Sequence, residues 1–263
     1  MAVGLIAGSG RLPVLLAEGV KSTGRGLVLL SLAGASGELA ALADHRYEIG
    51  YGDLERILTV LREHRVRELV FAGGVPRIPP TDRADAAFRE FLASGSALPG
   101  QSLFRRGIEL LAGQGILVRG PLDVRPDLAT PRGVLTTRGL SAEQQEDIHR
   151  GIGIARALAA AEIGQTIAVA HGVVVAVEAA EGTDATIRRA GAHAQGCVIV
   201  KVARPDQDMR FDLPAAGPET IAAMRDAGAA VLALEAARTL LLDRGAAVAA
   251  ADAAGIAIAG VDL

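Results

Sequence analysis

Aromatic side chains are scarce in this chain: 3% of its residues, with no tryptophan, two tyrosines and five phenylalanines. A core must therefore come from Ala, Val, Leu and Ile, and such cores suit helices packed on parallel strands. The same shortage removes the aromatic-studded basic surface on which bases stack, and a formal charge of −3 with a pI near 6.0 supplies no field for a polyanion. Nucleic acid is excluded as an expected partner. Cysteine is nearly absent too. Cys197 stands alone and the five histidines are scattered, so there is no internal disulfide and no zinc-type spacing, as expected in a reducing compartment. Lysine is the third shortage: of 27 basic residues only Lys21 and Lys201 are lysines, so a lysine stands out against an arginine background. Finally, the start "MAVGLIAGSGRLP" has no basic n-region or long apolar core, and apolar runs elsewhere fall short of the ~18 residues of a membrane span. The expected location is cytosolic, with any membrane contact peripheral.

A chain of 263 residues fits one large α/β domain or two of about 130. The first half alternates apolar runs with helical patterns: strands at 3–7, 27–32, 68–72 and 116–118, and helices at 12–22, 54–64, 83–93 and 102–114. This alternation predicts a parallel, Rossmann-like sheet covered on both faces. Three prolines and two glycines between Gly120 and Gly133 break the pattern, which places one domain at 1–132 and another at 133–263. The second half is read as α/β with a mixed sheet. Its helices are expected at 141–161, 184–193, 218–226 and 245–254, with Ser141 capping the first and Gln144 three residues on. Its strands flank His171-Gly172 as a hairpin and recur at 197–203, 230–235, 239–242 and 256–259.

Three places carry chemistry. Gly8-Ser9-Gly10 follows a strand and opens a helix, where free backbone N–H groups hold phosphate; the plainer reading is a tight turn that needs glycine for steric reasons. Pro13 and the "SLAG" after the second strand depart from a dinucleotide fingerprint, which disfavours an oxidoreductase. The second place is "VEAAEGTDATIRR", where a buried strand runs into Glu181 and Asp184 with Arg188 and Arg189 behind them, at the kind of strand end where α/β folds bind ligands. Thr183 and Asp184 also read as simple helix caps. The third is "VKVARPDQDMRFDLP", with Asp206, Asp208 and Asp212 beside Lys201, Arg204 and Arg210. Carboxylates gathered from both segments would repel unless a divalent cation or basic groups intervened, and hard oxygens next to cations suit Mg²⁺ and a phosphate. A solvated, salt-bridged loop is the alternative. Phe88, Phe91 and Leu92 form an apolar stripe, read as core in preference to an acyl-chain surface.

"GLIAGSGRLP", "GQTIAV", "VVVAVEAAEGTDA", "VIVKVARPDQDMRFDLPAAGPETI" and "LALEAARTLLLD" occur in this order along nearly the whole chain. Together they resemble the UDP-2,3-diacylglucosamine pyrophosphatase family of the non-calcineurin type. The resemblance implies two domains with a lipid held between them and a lipid A biosynthetic enzyme at the cytosolic face of the inner membrane of a Gram-negative bacterium. It also implies Mg²⁺ and water cleaving the diphosphate to UMP and 2,3-diacylglucosamine 1-phosphate. Glu181, Gly182, Thr183 and Asp184 fall on one family motif, and Gln207, Asp208, Arg210 and Asp212 on another. Asp208 and Asp212 are then the metal or general-base candidates, with Glu181 and Asp184 framing the site. Lys201, Arg188, Arg189 and Arg210 are candidates for the diphosphate, and Gly8, Ser9 and Gly10 for the nucleotide. Gly100-Gln101-Ser102 replaces a glycine and two aspartates usual in the family, Arg204 stands for a common lysine and Ala237 for a common glycine. A non-catalytic nucleotide-sugar or lipid-phosphate binder is the competing function, and a homo-oligomer is among the states left open.

Overall fold

The computed structural model describes residues 2–32, 36–75, 84–93 and 101–263, the side chains of 101 and 102 excepted. The chain forms two compact units, one of Met1–Pro126 with Arg210–Asp212 and one of Asp127–Met209 with Leu213–Leu263. The expected boundary at 132/133 falls a few residues inside the second.

In the first unit, β1 (Ala2–Ala7), β2 (Gly26–Ser31), β3 (His45–Glu48), β4 (Glu68–Ala72) and β5 (Leu117–Arg119) make a wholly parallel sheet in the order β3-β2-β1-β4-β5. The strand order reverses between β1 and β4, the Rossmann-type switch point. Helices α1 (Leu12–Ser22), α2 (Gly37–Leu42), α3 (Leu54–Glu63), α4 (Ala86–Ala93), α5 (Gln101–Gly113) and the short α6 (Pro121–Val124) connect and flank the strands. Alternate strand residues Ile6, Val28 and Leu30 meet Val60 and Leu61 of α3 and Ile108 and Leu111 of α5. α1, which shares no residue with that cluster, lies against β1, β2 and β4. Phe211 also belongs to this core, stacked on Phe104 at 4.4 Å between ring centroids, with Phe71 edge-on at 5.4 Å.

Two sequence readings need correction here. α2 and β3 were not expected: "HRYE" is an edge strand with little apolar signal, recognisable only by its pairing with β2. The Phe88-Phe91-Leu92 stripe is not core, for α4 has no buried residue; Phe88 and Phe91 are half-buried and Leu92 is exposed. The Arg106 guanidinium covers the Phe91 ring at 4.8 Å and donates to the Phe91 carbonyl at 2.7 Å. Arg83, expected to begin this helix, lies outside the described residues.

The second unit is built on a six-stranded mixed sheet in the order β6-β13-β11-β9-β7-β8, from β6 (Gly133–Val134), β7 (Thr166–Ala170), β8 (Val173–Val177), β9 (Val198–Lys201), β11 (Val231–Glu235) and β13 (Ala257–Val261). β10 (Ala215–Ala216) and β12 (Leu240–Leu241) pair separately. Both β6 and β10 escaped the sequence reading because two residues carry no period. The hairpin of β7 and β8 turns at His171 and Gly172, with φ of 50° and 75°, the primed turn that matches strand twist. α7 (Ala142–Ala160) begins at the expected capping box: Ser141 Oγ accepts from Gln144 N–H, and Gln144 Oε1 from Ser141 N–H. α7 covers one sheet face through Ile148, Ala155 and Ala159 against Val169, Val198 and Val200. α8 (Thr183–Gly191), α9 (Pro218–Ala227) and α10 (Arg244–Ala254) share the other face's core, where Ile187, Met224 and Ala251 meet Ile199, Leu232 and Ile258.

The turn after β11 holds Ala237 at φ 61°, exposed, with its N–H bonded to the Thr130 carbonyl at 2.9 Å. A left-handed alanine costs roughly 1–2 kcal/mol, and glycine gives back about 0.4–1 kcal/mol as extra unfolded-state freedom. Ala237→Gly is therefore expected to stabilise the second unit by about 0.5–1 kcal/mol, read as a higher denaturant midpoint at unchanged slope.

Candidate functional site

β8, β9, β11 and β13 all run in one direction and β7 runs against them, so four carboxyl ends and the start of β7 share one edge of the second sheet. The polar residues of the EGTD and QDxRxD segments follow from this edge. Thr166, first in β7, pairs with Lys201, last in β9, and Glu178 donates its N–H to the Thr166 carbonyl at 2.8 Å.

Lys201 is buried, at 6% exposure, and its Nζ donates to Thr183 Oγ1 at 2.5 Å and Thr166 Oγ1 at 3.3 Å. Thr183 in turn donates to Glu178 Oε1 at 3.0 Å. Glu178, at 8% exposure, also accepts the Gln165 N–H on Oε2 at 3.1 Å, and Gln165 Nε2 donates to Gln207 Oε1 at 3.3 Å. One connected network thus joins Thr183, Lys201 and Gln207. Burial pushes the Glu178 carboxyl up, but the Lys201 charge and bonds from Thr166, the Gln165 N–H and Thr183 outweigh it and leave it below the ordinary glutamate range.

Glu181 is exposed and sits in the turn before α8. One oxygen accepts from Arg189 Nη2 at 2.5 Å and the other from the Ala179 N–H at 3.1 Å, while Arg189 also donates to the Val177 carbonyl at 2.7 Å. The Glu181 carboxyl is lowered by its own N–H and by Arg189. Here the two residues work as a clasp on the strand end. Gly182 precedes α8 with φ 84°, a backbone suited to glycine. Asp184 is half-buried in the first turn and Arg188 is exposed in the last; neither side chain joins the network's described bonds.

The QDxRxD segment is divided between the units: Gln207 and Asp208 belong to the second, Arg210 and Asp212 to the first. Asp208 is half-buried; Asp212 is exposed and left-handed, φ 51°, a conformation aspartate tolerates better than most residues. A second clamp holds the start of this loop. The buried Glu235 accepts the Ala203 N–H at 2.7 Å and Arg238 Nη1 at 3.2 Å, and Arg238 Nη2 donates to the carbonyls of Arg204 at 2.8 Å and Pro205 at 3.3 Å.

Gly8, Ser9 and Gly10 lie at the switch point of the first sheet. The Gly8 N–H bonds to the Ala72 carbonyl at 2.8 Å, and Ser9 and Gly74 exchange backbone hydrogen bonds of 2.9 and 2.8 Å. A Cβ on Gly8 would run into the Gly74 carbonyl, so glycine is required for the close approach of two loops. Two of the three N–H groups read as a phosphate cradle are thereby engaged by backbone.

Sequence reasoning missed Glu178, Gln165, Glu235 and Arg238. Glu178 reads as the polar end of a strand inside a segment that carries the resemblance, and the rarity of lysine was the physical signal for it: a buried Lys201 demands a buried carboxylate. Among the described residues no group of three or more His, Cys, Asp and Glu is placed to hold a metal ion.

Fold and edge together define a two-unit α/β protein with a polar network at the carboxyl edge of its second sheet. Residues 2–128 match the LpxI N-terminal domain and 131–259 the LpxI C-terminal domain, and the chain belongs to the LpxI family. It is 33% identical over 277 residues to a Caulobacter vibrioides protein named UDP-2,3-diacylglucosamine pyrophosphatase LpxI, covering 99% of this chain and 97% of the relative. Solved structures are more distant. N5-carboxyaminoimidazole ribonucleotide synthetase from Thermotoga maritima is 14% identical with a TM-score of 0.27, covering 67% of this chain and 40% of its own. Glycinamide-RNase-transformylase T from Mycobacterium tuberculosis is 16% identical with a TM-score of 0.26, covering 67% and 44%. The chain spans less than half the length of either structure, and neither carries an argument here.

Two outcomes are expected. Arg238→Ala leaves Glu235 buried without its cation and frees two carbonyls, so it should destabilise the second unit by about 2 kcal/mol and speed hydrogen exchange at Ala203 and Gln207. Glu178 has a depressed folded pKa, so its contribution to stability is complete above its unfolded value of 4.5 and is lost as pH falls through the lower folded value. Urea titrations below pH 4.5 should show this loss in the wild type and a smaller one in Glu178→Gln.

Proposed function

We propose that this chain hydrolyses the diphosphate of UDP-2,3-diacylglucosamine to UMP and 2,3-diacylglucosamine 1-phosphate, a step of lipid A biosynthesis. Similarity to the Caulobacter enzyme over nearly the full length of both chains carries the reading. The EGTD and QDxRxD segments supply the groups such a reaction needs. Water adds to one phosphorus, the bridging P–O bond breaks, its electron pair stays on the departing phosphate, and the water proton passes to a carboxylate. Little covalent help is required, because orienting water in line and neutralising phosphate charge do most of the work.

Asp208 or Asp212 takes the proton. Lys201, Arg188, Arg189 and Arg210 are the cations for the diphosphate, where charge-assisted hydrogen bonds are strongest, with Thr183 and Gln207 as neutral donors. The nucleotide is assigned to the Gly8-Ser9-Gly10 turn, from Gly10 onward. Mg²⁺ characteristically takes only one or two carboxylates and completes its shell with water and phosphate oxygens. A cage of three or more protein ligands is therefore unnecessary, and Asp208 and Asp212, hard oxygens on one short segment, would hold the ion. When bound it would polarise a phosphoryl oxygen.

Among the described residues no helix is long and apolar enough to cross a membrane. A diacylated substrate resides in a lipid surface, so the protein is assigned to peripheral contact with the cytosolic face of the inner membrane of a Gram-negative cell.

Purified protein with UDP-2,3-diacylglucosamine and Mg²⁺ should release UMP and the lipid phosphate in equal amounts, and EDTA should stop both. Asp208→Ala and Asp212→Asn, the latter chosen because asparagine keeps a left-handed backbone, should each lower turnover by about 10²–10⁴-fold. Lipid binding without UMP release would favour a carrier.

A further inference from the structure

The Glu178, Thr183 and Lys201 side chains come from three places: the residue after β8, the first residue of α8 and the last residue of β9. A threonine hydroxyl has one proton. Given to Glu178 at 3.0 Å, it leaves a lone pair for Lys201 Nζ at 2.5 Å, and the direction of both contacts is fixed. Lys201 is nearly out of reach of water, where an ammonium stays charged only against an opposing charge. Glu178 is a carboxylate set against it, and is itself buried.

We propose that Glu178 is a positioning residue for the diphosphate site: it keeps Lys201 charged and Thr183 oriented without touching the substrate. The proposal rests on the hydrolase reading. Replacing a buried pair by neutral residues of similar shape is often tolerated, whereas removing one partner is costly. A neutral pair of similar shape is therefore expected to fold, and the value of the charged pair lies in what the held cation and hydroxyl do.

The test compares wild type, Glu178→Gln, Lys201→Met and the double variant, each by UMP release from UDP-2,3-diacylglucosamine with Mg²⁺ and by melting temperature. No UMP from the wild type ends the hydrolase reading, and this proposal with it, before any variant is considered. With an active wild type, Glu178→Gln should lower kcat about 10–100-fold per folded molecule, in the range found for groups that support a site from behind, with KM near its wild-type value. In the Lys201→Met background the same change should matter by no more than about twofold. The double variant, free of both buried charges, should melt close to the wild type, so the cycle can be read even if a single variant folds poorly. Wild-type kcat in Glu178→Gln, or a lowered melting temperature with undiminished kcat per folded molecule, would overturn the proposal. So would a Glu178→Gln loss that persists in full without Lys201.

Discussion

A lysine ammonium at the end of an interior strand has to be neutralised where it lies, and that requirement organises the polar edge of the second sheet. Lys201 closes β9 and Glu178 follows β8, with β7 between them. The start of β7 and the residue before it bridge the two: Thr166 accepts from Lys201 and Gln165 gives its N–H to Glu178. Once the two strand ends are tied, the start of α8 is fixed as well, because Thr183 hydrogen-bonds to both charges. The net stability of such a pair is small against a well-packed apolar alternative. The loss from breaking it is large, and the asymmetry holds three elements in one arrangement.

The scarcity of rings contributes to the same end. With Ala and Gly at contact positions, helices come close to the sheet and to each other. Gly151 of α7 lies against Val200, where an added Cβ would stand 2.6 Å from Cγ2, and Gly191 at the end of α8 lies against Ala227, where it would stand 2.5 Å from the carbonyl oxygen. Close-packed interiors respond to a single methylene, so Gly151 sets how near α7 comes to β9 and Gly191 sets where α8 lies against α9. Thr183, at its other end, is placed by that packing as much as by its hydrogen bonds. Core composition and site geometry are one problem in this unit.

Much of this was legible in the chain. Alternating apolar runs and capping signals located the long elements because their periods repeat several times: α1 spans Leu12–Ser22 and β4 spans Glu68–Ala72, as the pattern predicts. Illegible were the elements without a period, such as β3, and residues whose meaning is tertiary. Glu178 looks like the polar terminus of a strand until Lys201 is brought beside it from the far side of β7. Glu235 and Arg238 lie in a segment that resemblance singled out, yet their contacts with Ala203, Arg204 and Pro205 join residues more than thirty positions apart. Motif spacing singles residues out; which of them are buried in the network and which stay exposed is set by the sheet.

The glycine turn at the start makes the same point in reverse. As a string, Gly8-Ser9-Gly10 before a helix describes a phosphate cradle. In the fold, Gly8 answers a steric demand, since the loops after β1 and β4 meet at the switch point and exchange backbone hydrogen bonds through Ser9 and Gly74. Gly73 joins this contact at φ 91°, where an added Cβ would stand 2.5 Å from the Ser9 carbonyl oxygen. Such a clasp consumes the N–H groups of Gly8 and Ser9, but it also fixes the backbone from which α1 departs, with Gly10 at φ 95° and nothing among the described residues within 4 Å of where its side chain would begin. Glycine is thus needed twice over three residues for different reasons: at Gly8 to let two loops touch, and at Gly10 to turn the chain into the helix.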